Sequence, residues 1–206
     1  MSVRIEKSHV LVVEGKDEEL FFAALIDNCK NELNLPDIQI LPIGGKSRLP
    51  GNLKALVNSP GFTKIISLGI VRDADEDARA AFQSICSALG SAGLPVPPAP
   101  LVSAGSNPSV TAVVLPGDNR PGMLEDVCLA AVQDEPALLC VKQYFECLQN
   151  MSLSLPRQIS KAMLQVFLAS RPEVGKRLGE AALAGYFSLS SDAFGQLREF
   201  LRRMSV

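Results

Sequence analysis

The chain has 206 residues, 47% of them hydrophobic and 20% charged, with 20 Lys and Arg against 22 Asp and Glu and a formal charge of −2. That balance predicts a soluble globular protein and excludes strong nucleic-acid binding by net positive charge alone. No apolar run approaches the ~20 residues that cross a bilayer, and residues 10–13 are too short a run for a signal peptide, so a cytoplasmic protein without a membrane partner is expected.

Five cysteines (Cys29, Cys86, Cys128, Cys140, Cys147) form no Cys-x-x-Cys pair, and His9 is the sole histidine. A disulfide framework and a zinc knuckle are both excluded on those grounds. The apolar run at residues 10–13 predicts a strand, and Leu20, Phe21, Ala24 and Leu25 carry helical spacing through residues 17–29. Residues 38–43 alternate as a second strand, and Gly44-Gly45-Lys46-Ser47 makes a turn before a short helix at 53–57. A third strand is predicted at 65–71 and a helix at 76–89. A proline-rich connector follows at 93–100. Residues 110–115 read as another strand, with Leu101-Val102 beside it at an edge. The loop at 116–122 opens a helix near residue 123. Beyond residue 136 the pattern is helical, at 138–149, 157–169, 173–184 and 192–204. The expected fold is α/β: a mainly parallel sheet flanked by helices over residues 1–132, with a helical C-terminal region, residues 133–206, packed on it.

Two strand-like runs end in acid: Val12-Val13-Glu14-Gly15 and Val71-Arg72-Asp73-Ala74-Asp75. Parallel strands would bring Glu14, Asp73 and Asp75 to one carboxyl edge, where open α/β sheets hold ligands. Aspartates at i and i+2 on extended backbone point the same way and can serve one ion. Carboxylates without imidazole or thiolate suit Mg2+ or Mn2+ rather than zinc. Asp17, Glu18, Glu76 and Asp77 read instead as acids that open helices. Glu125 and Asp126 either complete a second metal position or open the next helix. Lys16, Lys46 and Arg48, in loops beside the proposed metal, are candidate phosphate donors. Arg72 is placed to neutralise the aspartates. Lys161 reads as a surface lysine, and Arg198, Arg202 and Arg203 as a solvated helix face.

Strand, Glu14-Gly15, helix, then strand, Asp73-Ala74-Asp75, helix together resemble the Toprim superfamily over roughly residues 9–132, with Gly44-Gly45-Lys46 where many members carry a glycine-rich turn. Pro121-Gly122-Met123-Leu124-Glu125-Asp126, Val174-Gly175 through Gly185-Tyr186-Phe187, and Phe194 to Leu201 are similar to a small Toprim branch related to overcoming-lysogenization-defect-type nucleases. The resemblance implies a Mg2+-dependent phosphodiester-cleaving protein acting on DNA or RNA. Glu14, Asp73 and Asp75 would be catalytic metal ligands, joined by Glu125 and Asp126. One departure stands out: Ala78 occupies the position where many Toprim sequences carry glycine after Asp-x-Asp. Topoisomerase activity is not expected, because Tyr144 and Tyr186 both lie in helical, apolar contexts. Two alternatives stay open. One is a noncatalytic module binding nucleic acid, nucleotide or a partner protein. The other is a subunit or homo-oligomer of a defence or repair complex that borrows an ATPase, since no Walker motif is present.

Overall fold

Strand β1 (His9–Val13) is buried along its whole length, which is why its apolar residues run continuously rather than alternate with polar ones. In the computed structural model, which describes residues 4–205, it lies inside a four-stranded sheet. Residues 1–3 and 206, the outermost of the two regions expected above, lie outside the described residues. The sheet order is β2-β1-β3-β4, with β2 (Ile38–Pro42), β3 (Ser67–Asp73) and β4 (Ser109–Leu115) all parallel to their neighbours. The expected α/β fold with a parallel sheet is the observed one.

Each face of the sheet has its own core. Leu11, Val13, Val71, Val113 and Leu115 point to one side. Val10, Val12, Leu68, Ile70 and Val110 point to the other. The period of two along each strand makes this division. The second face is covered by α2 (Leu49–Val57) and α3 (Ala78–Ser91) through Leu53, Leu56, Ile85 and Leu89. The first is covered by α1 (Lys16–Leu33), α4 (Leu124–Ala131), α5 (Pro136–Asn150), α6 (Ile159–Ala169), α7 (Leu178–Leu183) and α8 (Gly195–Met204). The last helix lies on the sheet because Gly69 makes room for it: a Cβ there would sit 2.2 Å from Met204 Sδ and 2.9 Å from Phe200 Cζ.

Several boundaries differ from the sequence reading. The helix expected at 173–184 is confined to α7, because Gly175 has φ of +87° and breaks the preceding turn. The edge segment at Leu101-Val102 forms no full strand, although the Leu101 N–H donates to the Ala112 carbonyl at 2.8 Å. Ala78 is simply the buried first residue of α3, with no positive φ. A glycine is therefore not needed there.

The order of strands decides where a ligand fits. The chain runs from β1 outward to β2, then returns across β1 to β3. The carboxyl ends of β1 and β3 thus flank a topological switch point, the crevice that open parallel sheets use for ligands. Glu14 directly follows β1, and Asp73 ends β3.

Candidate functional site

Glu14 follows β1, separated from α1 by Gly15, and turns toward β3. Its Oε1 accepts the Asp73 backbone N–H at 3.4 Å and lies 3.9 Å from Arg72 Nε. Asp73 reaches onward to the start of α4, beyond the loop that follows β4, its Oδ1 accepting the Leu124 N–H at 3.0 Å. That N–H is one of the free donors at the start of α4, so the carboxylate also complements the helix dipole.

Beyond Asp73 the backbone is not extended. Asp75 has φ of +53° and is tied to Gly122 by two hydrogen bonds, at 2.9 and 2.8 Å. The i, i+2 alignment expected for the two aspartates is therefore replaced by a left-handed turn that gives each its own partner. Asp75 Oδ2 meets Lys46 Nζ at 2.5 Å. Lys46 is delivered by the Gly44-Gly45 turn, whose φ values of +74° and +112° favour glycine. The Gly45 N–H is anchored on the Glu14 carbonyl at 2.8 Å.

Glu125, in the first turn of α4, is buried, with Oε1 3.3 Å from Lys161 Nζ on α6. Its neighbour Asp126 is differently engaged. One oxygen accepts the Met123 N–H at 2.7 Å, and the other accepts the Ser160 hydroxyl at 2.5 Å. Asp126 thus caps α4 and fastens α6 to it. Asp77 likewise accepts the Arg79 and Ala80 N–H groups at 2.9 and 3.0 Å, a helix-capping role. Lys16 pairs with Glu19 at 3.0 Å on the exposed side of α1, and Arg48 folds over Gly44. Of the three basic residues singled out in the sequence, Lys46 alone is fixed on a candidate carboxylate.

The electrostatics knit these groups together. Burial, then repulsion from Glu14, Glu125 and Glu18, pushes the Asp73 carboxyl well above the usual carboxylate range, against the pull of the Leu124 N–H. Burial raises Glu14. The Asp73 N–H and Arg72 oppose that rise, while Glu18 and Asp75 add to it. Glu18 is raised by burial and by Glu125 and Asp17. Burial works against the Lys161 ammonium, but Glu125, Asp73 and Glu18 together hold its pKa above the ordinary lysine value.

Glu18 and Lys161 are thus members of the cluster that the sequence reading assigned elsewhere. Glu18 was hidden because acids in a first helical turn are ordinary. Lys161 was hidden because only the packing of α6 on α4 brings it in. Arg72, expected to neutralise the aspartates, is instead paired with Glu14: its side chain is 13% exposed, and among the described residues Nε and Nη1 are buried without a hydrogen-bond partner.

Among the described residues no three His, Cys, Asp or Glu side chains already form a metal-coordinating group. The donor chemistry nevertheless suits a hard cation: the candidate ligands are carboxylate oxygens, and the Asp73 carboxyl is raised first by burial and then by three like charges that a divalent ion would offset. No helix among the described residues is long and apolar enough to cross a membrane.

With this geometry in view, a family model described as "protein of unknown function (DUF3226)" matches residues 8–205. The chain belongs to that family. Its match takes in every element from β1 to α8, including both α4 and α6 of the acidic cluster. A search of curated proteins finds no match. Among solved structures, the chain is similar to the C-terminal region of the OLD protein of Xanthomonas campestris pv. campestris, at 14% identity, with 95% of each chain covered and a TM-score of 0.46. A likeness of that degree carries no functional argument.

Proposed function

We propose that the protein is a Toprim-type, Mg2+- or Mn2+-dependent phosphodiesterase acting on nucleic acid. The observation that carries this reading is the meeting of carboxylates from separate elements at the β1–β3 switch point, where burial and then like-charged neighbours raise Asp73. Glu14, Asp73, Asp75 and Glu125 would hold the cation. Asp126 has both oxygens engaged in capping and contributes support rather than ligation. When bound, the cation supplies Lewis-acid polarisation of a phosphoryl oxygen and lowers the pKa of water.

The chain's own residues supply the rest. Glu14, its pKa raised by burial, is suited to take a proton from an attacking water. Lys161 and Lys46 sit at the rim of the cluster, where they can turn from their carboxylates to phosphate oxygens as charge-assisted donors.

A noncatalytic nucleic-acid-binding module is the second reading. It is favoured by the same two ion pairs, which balance Asp75 and Glu125 without a metal. Cleavage decides between them. Glu14→Gln should reduce Mg2+-dependent cleavage by at least about two powers of ten, the contribution of a positioned general base, and Asp73→Asn should reduce it at least as far by removing an anionic ligand of the cation, while the fold persists in both. Undiminished activity in both variants removes the enzyme reading. An inactive wild type that still binds strands selects the second.

A further inference from the structure

Two cavities open beside the cluster. One, of about 1140 Å3, is bordered by Lys46, Asp75, Arg157 and Lys161. The other, of about 550 Å3, is bordered by Glu125, Lys161, Lys176 and Arg177. They meet at Lys161 and Gln165, which stand one helical turn apart on the same side of α6. Asp75 borders only the first cavity and Glu125 only the second, so the carboxylates straddle the divide.

We infer that the two cavities act as one groove for a single nucleic-acid strand that crosses the carboxylate cluster, so that the bond presented there is internal to the strand. This deepens, and rests on, the function proposed above. Each half of the groove carries cations away from the divide: Arg157 in the larger, beside the acids Glu76 and Asp77, and Arg177 with Lys176, which pairs with Glu173 at 3.0 Å, in the smaller. Arg157 meets Glu76 only in a fully exposed pair at 2.7 Å, which contributes little and yields readily to phosphate. Arg177 is exposed and makes no side-chain ion pair among the described residues.

The smaller cavity also has apolar walls, Leu164, Leu168, Val174 and Leu178. Val174, 77% exposed, offers an apolar surface at its lip. Phosphate alone would not call for that surface, but an unstacked base would. Its volume lies within the range of about 300–1,000 Å3 that encloses small ligands, room for an unpaired nucleotide. Bases become available to such walls only when the strand is unpaired.

The test uses the full chain in two assays. In Ca2+, anisotropy of a labelled single-stranded 16-mer should show Arg157→Ala and the double variant Lys176→Ala/Arg177→Ala each weakening binding about tenfold. The slope of log affinity against log salt should shrink by roughly 0.7 for each phosphate no longer neutralised. In Mg2+, a covalently closed single-stranded DNA circle should be opened. Variants with wild-type affinity and salt slope, tighter binding of duplex than of single strand, or an intact circle while linear strands shorten from their ends would each overturn the inference. A protein that cuts linear strands only from their ends keeps the function proposed above and sinks the groove. One whose melting temperature ignores Mg2+ and that cuts nothing sinks both.

Discussion

Asp73 sets stability against the proposed chemistry in this molecule. Its raised pKa means that the folded state holds its proton more tightly than the unfolded state does. The stabilising contribution of that proton is complete below the ordinary aspartate value of 3.8. It is lost as pH rises through the higher folded value. Glu14 and Glu18 are shifted in the same direction and act alike. The metal-free protein should therefore gain stability on mild acidification from neutrality. Asp73→Asn, which can still accept the Leu124 N–H through its amide oxygen, should melt higher than wild type at pH 7.5 and flatten that pH dependence. Calorimetric melting of both proteins between pH 5 and 8 checks this, and a variant that melts several degrees lower at neutral pH would refute it. Sequence alone put Glu14 and Asp73 at the carboxyl ends of their strands, because a β-branched run ending in acid is a local pattern. The left-handed turn at Asp75 was not legible, since the residue is not glycine and its conformation is imposed by the bridge to Gly122.

Secondary-structure elements set how firmly those residues are held. Capping of α3 by Asp77 should be worth about 1 kcal/mol, so Asp77→Ala should lower the melting temperature by about 2–4 °C without altering metal binding. Gly69 tests the seat of α8. Gly69→Ala forces a methyl against Met204 and Phe200 and should cost about 1–3 kcal/mol by overpacking. Urea unfolding of the two variants gives both values, and a neutral Gly69→Ala would mean that α8 shifts freely on the sheet. The strands and most helices were readable from hydrophobic period. The short α7 was not, because the apolar residues after Glu173 keep helical spacing through a segment that Gly175 interrupts. Lys161 was missed for a related reason: its own helix was readable, but nothing local says which element that helix packs upon.

Across the whole molecule, α1, α4 and α6 hold Glu18, Glu125 and Lys161 around one switch point of a parallel sheet. The formal charge of −2 conceals this local arrangement. Composition gave no sign of phosphate affinity, whereas the two cavities place exposed cations beside the acids. The central claim is that the acidic cluster is a divalent-cation site centred on Asp73. Its most direct test is the melting temperature of wild type and Asp73→Asn during MgCl2 titration at constant ionic strength. At a hundredfold excess over Kd, binding stabilises by about 2.7 kcal/mol, or roughly 5–11 °C for a chain of this size. The account predicts a saturable rise of that order in wild type and its loss in Asp73→Asn, although the variant starts from the higher temperature. An unresponsive wild type, or an equal response in both proteins, would contradict it.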